Sequence, residues 1–68
     1  MNNKKIQLNG EEKTVHSSTL IDLLQELKLP LATVLVEQNG VALHRHELEK
    51  ASLAENDQIE ILQIAAGG

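Results

Sequence analysis

Three histidines and a terminal pair of glycines are the residues of this 68-residue chain whose types and spacing could do chemistry. His44 and His46 lie two apart beside Glu47 and Glu49, so imidazole and carboxylate ligands are close together, and on a strand both rings would share a face. No third or fourth ligand follows at a zinc-site spacing, and the segment is polar. Solvent-exposed side chains are therefore the reading to prefer. His16 beside Ser17 and Ser18 has the parts of a nucleophile and its base. It lacks an oxyanion loop and an orienting acid, and the serines are better suited to capping a helix. Cysteine is absent, which excludes disulfides, a thiolate nucleophile and thiolate metal ligands. The carboxylates are scattered, and acid–base chemistry would need a cleft to perturb a pair of them. An acidic surface that meets a basic partner is the simpler expectation.

The C-terminus reads differently. Ala65-Ala66-Gly67-Gly68 carries no side chain larger than a methyl. Four extended residues reach roughly 13–14 Å, so this arm can enter a narrow channel. Glycine also opens backbone conformations closed to other residues. The tip is a carboxylate, ionised at neutral pH because its reference pKa is about 3.5. Taken alone, such an end equally describes a frayed terminus; what precedes it decides its meaning.

Composition narrows the field. Six basic and ten acidic residues leave a net charge of −4, which argues against nucleic-acid binding, where a basic face is the usual footprint. There is no Phe, Tyr or Trp, so the core must be Leu, Ile and Val, and no aromatic platform exists for stacking bases or sugars. No apolar run approaches the ~20 residues that cross a bilayer, and Ile6 to Glu12 is no signal-peptide segment. The expectation is a cytoplasmic protein of one small domain with no nucleic-acid or membrane partner, no bound cofactor and no metal.

The elements that would position these groups follow from periodicity. Lys4 to Asn9 alternates as a strand, Asn9-Gly10 is a hairpin signal, and Lys13 to His16 is a second strand. A connection of two or four residues puts Ile6 and Val15 on one face; the four-residue version sets them directly opposite and is preferred here. Thr19 is an N-cap candidate with Asp22 in the capping-box position. Asp22 and Glu26 suit the positive half of the helix, and Leu20, Leu23, Leu24 and Leu27 form its apolar stripe. Pro30 stops it. Thr33 to Glu37 reads as a buried strand, Gln38-Asn39-Gly40 as a turn and Val41-Ala42-Leu43 as a short returning strand. His44 to Leu53 is a helical turn or irregular loop, Asn56-Asp57 a turn, and Gln58 to Ile64 the last strand.

This order predicts an α+β domain of two layers, a mixed sheet of four to five strands with one main helix packed on one face. It matches a ubiquitin-like β-grasp, in which the last strand pairs with the first in parallel. Residues 1–64 form that domain and residues 65–68 a flexible Gly-Gly tail. Alternation places Ile59 and Ile61 under the helix, and Leu62 and Ile64 on the opposite face with Glu60. Leu62 and Ile64 stand just before the tail and are candidates for docking a partner; the competing reading is a small cluster with residues 44–53.

Ile6-Gln7-Leu8-Asn9-Gly10, Thr19-Leu20-Ile21-Asp22-Leu23-Leu24, Val36-Glu37-Gln38-Asn39-Gly40, Asp57-Gln58-Ile59-Glu60-Ile61-Leu62 and Ala66-Gly67-Gly68 occur in that order. In these segments the chain resembles the ThiS family, the ubiquitin-like sulfur carriers of thiamine biosynthesis. It departs in having Asn56 where Gly is common before the turn aspartate, and Ala65 where a larger aliphatic residue is common. Asn tolerates the left-handed conformation, so the turn should survive. The resemblance implies a carrier that catalyses nothing. A ThiF-like adenylating enzyme would use ATP and magnesium to activate the Gly68 carboxyl. A persulfide donor would then convert it to a thiocarboxylate that feeds a ThiG-like thiazole synthase. Gly68 would carry the sulfur, with Ala65, Ala66 and Gly67 as the tail. Two alternatives share the fold: a molybdopterin-type sulfur carrier, whose members often have prolines before the terminal motif, and a ubiquitin-like modifier conjugated through Gly68. A third reading, from another class, is a binding module with an incidental Gly-Gly.

Overall fold

Asn9 and Gly10 adopt φ angles of 51° and 85° in the computed structural model, which describes residues 3–64. Two successive positive φ values are what a two-residue type I′ turn requires, and its twist matches that of the strands it joins. The hairpin therefore closes at once. Strand β1 (Lys4–Leu8) pairs antiparallel with β2 (Glu11–Val15), with Ile6 opposite Lys13 and Val15 opposite Lys4. This corrects the four-residue connection expected above. The turn chemistry of Asn-Gly outweighs the gain of setting two apolar residues face to face. Parity is the same either way, so Ile6 and Val15 still point to one side and are both buried.

Helix α1 (Leu20–Glu26) begins at Thr19, whose Oγ1 accepts the Asp22 N–H at 3.1 Å. Ser17 and Ser18 do not cap it. The buried Ser17 instead donates its hydroxyl to the Glu26 carboxylate, so it is not paired with the exposed His16. Glu26 is the last helical residue, not a member of the positive half. The helix stops before Pro30 because Lys28 turns left-handed at φ 61°. The Lys28 N–H then donates to the Gln25 carbonyl at 3.0 Å and the Leu29 N–H to the Leu24 carbonyl at 2.8 Å. These are the two bonds of a Schellman motif, made here without glycine.

After a 3₁₀ turn at Leu31–Thr33 come β3 (Val34–Gln38) and β4 (Val41–Ala42), joined by a second Asn-Gly turn with φ 53° and 85°. Residues 45–50 are helical rather than irregular. Helix α2 (Arg45–Lys50) starts where the Glu47 carboxylate accepts the His44 N–H at 2.8 Å, a capping-box contact. Asn56 takes φ 69°, as its residue type allows, and leads into β5 (Gln58–Gln63).

The sheet order is β2-β1-β5-β3-β4. β5 lies in the centre, parallel to β1 and antiparallel to β3, the mixed sheet of a β-grasp. Ile6, Val15, Val34, Val36 and Ile59 from one sheet face are buried with Leu20, Leu23 and Leu24 of α1 and Leu48 and Leu53 of the α2 region. Each such side chain contributes about 1.5–3 kcal/mol when fully buried. Both helices use this face, so the opposite face of the sheet has no layer over it among the described residues.

Candidate functional site

Strand alternation determines what that open face presents. Ile59 is buried and Ile61 half-buried on the helix side, so Glu60, Leu62 and Ile64 point outward. Leu62 is 61% exposed and Ile64 44%. The expected docking residues are thus both exposed. The competing reading, a cluster of Leu62 with residues 44–53, is overturned, because Leu48 and Leu53 are buried in the core on the other side of the sheet.

Strand β3 supplies the rest of the face. Its residues 33–37 read in sequence as a buried strand, but only Val34 and Val36 are buried. Leu35, 54% exposed, pairs directly across from Leu62. In the next outward row Glu37 pairs directly with Glu60, and Ala42 of β4 flanks Glu37. A concavity of about 550 Å³ lies here, lined by Leu35, Glu37, Ala42, Leu43, Glu60 and Leu62 among others. Leu35 and Glu37 were missed at the sequence level. Their signal was the parity of Val34-Leu35-Val36-Glu37, two aliphatic positions inward and one outward beside an acid.

The end of β5 is held where the chain leaves the sheet. Val34 pairs with Gln63, and the Ile64 N–H donates to the Thr33 carbonyl at 2.8 Å. Ala65, Ala66, Gly67 and Gly68 lie outside the described residues. The segment that leads to them is fixed as far as Ile64, two residues past the Leu35–Leu62 pair.

The opposite end of β5 is clamped by a buried carboxylate. Burial pushes the Asp57 carboxyl up, but hydrogen bonds from the Asn39 amide, the Ala54 N–H and the Gln38 amide outweigh it, and its pKa lies below the usual carboxylate value. Those bonds measure 3.0, 2.9 and 2.9 Å. Every partner is a neutral donor and the Asp57 side of the strand is packed, so this group organises the turn rather than a reaction. His44 and His46, by contrast, begin a helix, where residues two apart do not share a face. Among the described residues no group of three or more His, Asp or Glu side chains is placed to hold a metal ion. No described helix is long and apolar enough to cross a membrane.

Comparison with known proteins agrees with this geometry. The model of the ThiS family matches residues 4–68. An uncharacterized protein, ycf40, of Trieres chinensis is 32% identical over 66 residues, which span 96% of this chain and 90% of that protein. The crystal structure of a thiamine biosynthesis protein (ThiS) from Geobacter metallireducens superposes with a TM-score of 0.77 at 31% identity. That match covers 94% of this chain and 99% of the other.

Proposed function

Since this chain belongs to the ThiS family, we propose that it is a sulfur carrier protein of thiamine biosynthesis whose working group is the Gly68 carboxyl. A carboxylate is a poor electrophile, so a ThiF-like adenylating partner, using ATP and magnesium, joins AMP to it and releases pyrophosphate. The terminal sulfur of a protein persulfide then attacks the carbonyl carbon. A C–S bond forms, the bond to AMP breaks, and a thiol cleaves the resulting S–S bond to leave the thiocarboxylate. That group delivers sulfur to a ThiG-like thiazole synthase. Here the chain is cargo and handle, not catalyst, and the setting proposed is the cytoplasm. The absence of cysteine fits a carrier that holds sulfur on a carboxyl carbon.

The observation that carries this reading is the match of the family model through residue 68, joined to a β5 that ends at Gln63 and is followed by an Ile64 bonded to the Thr33 carbonyl. Ala65, Ala66 and Gly67, between Ile64 and Gly68, carry no side chain larger than a methyl. Leu62 and Ile64, both exposed just before these residues, are the anchor for the partner, since covering exposed apolar surface is favourable.

The test is intact mass after incubation with ATP, the adenylating enzyme and a persulfide donor. The wild type is expected to gain the mass difference between sulfur and oxygen. Deleting Gly68, or adding a residue after it, is expected to abolish that gain with an unchanged melting curve, because the carboxyl must be placed with sub-ångström accuracy. A Gly68-deleted chain that still gains sulfur would sink the proposal. Covalent adducts to other proteins in extract would favour a modifier instead.

A further inference from the structure

We propose that Asn39 is a site of chemical modification, spontaneous deamidation at Asn39-Gly40, and that its bonds to β5 and Asp57 set both the rate of that reaction and its cost to the fold. This property stands whether or not the chain carries sulfur. Asn9-Gly10 and Asn39-Gly40 are the two Asn-Gly pairs of the sequence, and all four residues are exposed. The step needs only water. The Gly40 main-chain nitrogen loses its proton to hydroxide and attacks Asn39 Cγ. A new C–N bond closes a five-membered imide. The bond from Cγ to Nδ2 breaks and, with a proton returned by water, ammonia leaves. A second water then opens the ring. Cleavage at Cγ leaves aspartate; cleavage at the Asn39 carbonyl carbon leaves isoaspartate, with one more methylene in the main chain. Glycine favours closure because no side chain crowds the attacking nitrogen. At Gly10 and Gly40 no atom outside the adjacent residues lies within 4 Å of where a Cβ would stand, so water reaches both turns.

The fold treats the two turns differently. Asn39 Oδ1 accepts the Gln58 N–H at 2.8 Å, and its Nδ2 donates to Oδ1 of the buried Asp57 at 3.0 Å. Asn9 Oδ1 accepts the Ile61 N–H at 2.8 Å, but its Nδ2 reaches only the neutral Ile61 carbonyl, at 3.3 Å. Nδ2 is the leaving group, so its bond to β5 must open before either ring can close. A hydrogen bond to an ionised acceptor is roughly twice as strong as one between neutral groups. Asn39 is therefore released less often, and Asn9 reacts first in the folded chain. The cost runs the other way. Aspartate at position 9 keeps an acceptor for the Ile61 N–H and loses only the longer bond. Aspartate at position 39 sets a second carboxylate against Asp57 Oδ1, where a donor stood, and like charges that close disfavour each other. Gln38 and Ala54 still serve Asp57 Oδ2, at 2.9 Å each, but the link from the second Asn-Gly turn to Asp57 is broken. Slow conversion at Asn39 thus limits the life of the native fold, in a domain small enough for one such loss to be a large share of its stability.

The experiment ages the full-length chain in mildly alkaline buffer, folded and in urea. Peptide mass mapping reads each asparagine from the mass gained when its amide nitrogen is replaced by oxygen. In urea the two sites are expected to convert at similar rates. In the folded chain Asn39 should lag Asn9 by at least about threefold, because its leaving nitrogen is bonded to a charge. Asp57→Ala removes that bond and is expected to quicken Asn39 by about tenfold with a much smaller change at Asn9. Leu24→Ala, which loosens the whole core, should quicken both sites together. The wild-type ratio of the two sites decides the matter even if Asp57→Ala unfolds. Melting temperatures test the cost: Asn39→Asp is expected to melt below both wild type and Asn9→Asp. Equal folded rates at the two sites overturn the proposed protection, as does an Asn39 rate indifferent to Asp57→Ala in a folded variant. An Asn39 still wholly intact when Asn9 is fully converted overturns the modification site. An Asn39→Asp chain that melts with wild type overturns the proposed cost.

Discussion

The side-chain amide of Asn9 brackets the main chain of Ile61: its Oδ1 accepts the Ile61 N–H at 2.8 Å and its Nδ2 donates to the Ile61 carbonyl at 3.3 Å. Strand β1 ends at Leu8, opposite Ile59, and the Asn9 N–H reaches the Ile59 carbonyl at 2.9 Å. The amide then acts as one further residue of ladder for β5, just where that strand runs toward Leu62. Asn39, in the other Asn-Gly turn, accepts the Gln58 N–H at 2.8 Å. The two turns thus hold the central strand from its two edges, one at Ile61 and the other at Gln58.

Asn9→Gly separates this clamp from the turn. Glycine suits the positive φ, so the turn alone would be unharmed. Loss of two exposed hydrogen bonds is expected to cost about 1 kcal/mol and to speed amide exchange at Ile61. Denaturant melts matching wild type, with Ile61 still protected, would show that the amide adds nothing.

Leu24→Ala is expected to destabilise the fold by ~2–5 kcal/mol, the range for buried leucines cut to alanine. Leu24 is almost fully buried, and its carbonyl also closes the Schellman motif. Equilibrium urea unfolding reads the loss, and a midpoint equal to wild type would mean the α1 stripe does not carry the core.

Lys28→Gly is expected to raise stability, by about 1 kcal/mol. A non-glycine residue held left-handed costs roughly 1–2 kcal/mol, and part of that gain is lost to glycine's greater freedom when unfolded. Lys28 is exposed and its N–H remains available to the Gln25 carbonyl. A lower melting temperature in the variant would refute this account of how α1 ends.

Asp57 makes stability depend on pH in a defined direction. Its pKa is lowered in the folded chain, so the unfolded state binds the proton more readily. The contribution is fully present above the unfolded value of about 3.9 and is lost as pH falls through the lower folded value. Asp57→Ala is expected to cost about 1–3 kcal/mol at neutral pH, because the Ala54 N–H and the Gln38 and Asn39 amides lose their acceptor. Thermal melts across the acid range should show the two proteins converging below pH 4. A gap that stays constant into strong acid would contradict the assignment.

Local rules made much of the fold legible. The Leu stripe, the Thr19 cap, both Asn-Gly turns and the order of strands and helix follow from periods of 3.6 and 2 and from turn chemistry. These depend only on neighbours in the chain. The outward direction of Leu62 and Ile64 was legible for the same reason, since alternation from one buried isoleucine sets the parity of all of β5. What the tertiary structure alone decided is which residues meet. Leu35 faces Leu62, Glu37 faces Glu60 and Asn9 reaches Ile61 only because β5 inserts between β1 and β3. Ser17 left its capping role for Glu26 because the chain entering α1 passes beside the last turn of that helix. Partners so far apart in the chain are selected by strand order and register, and those minimise the free energy of the whole sheet rather than of any one segment.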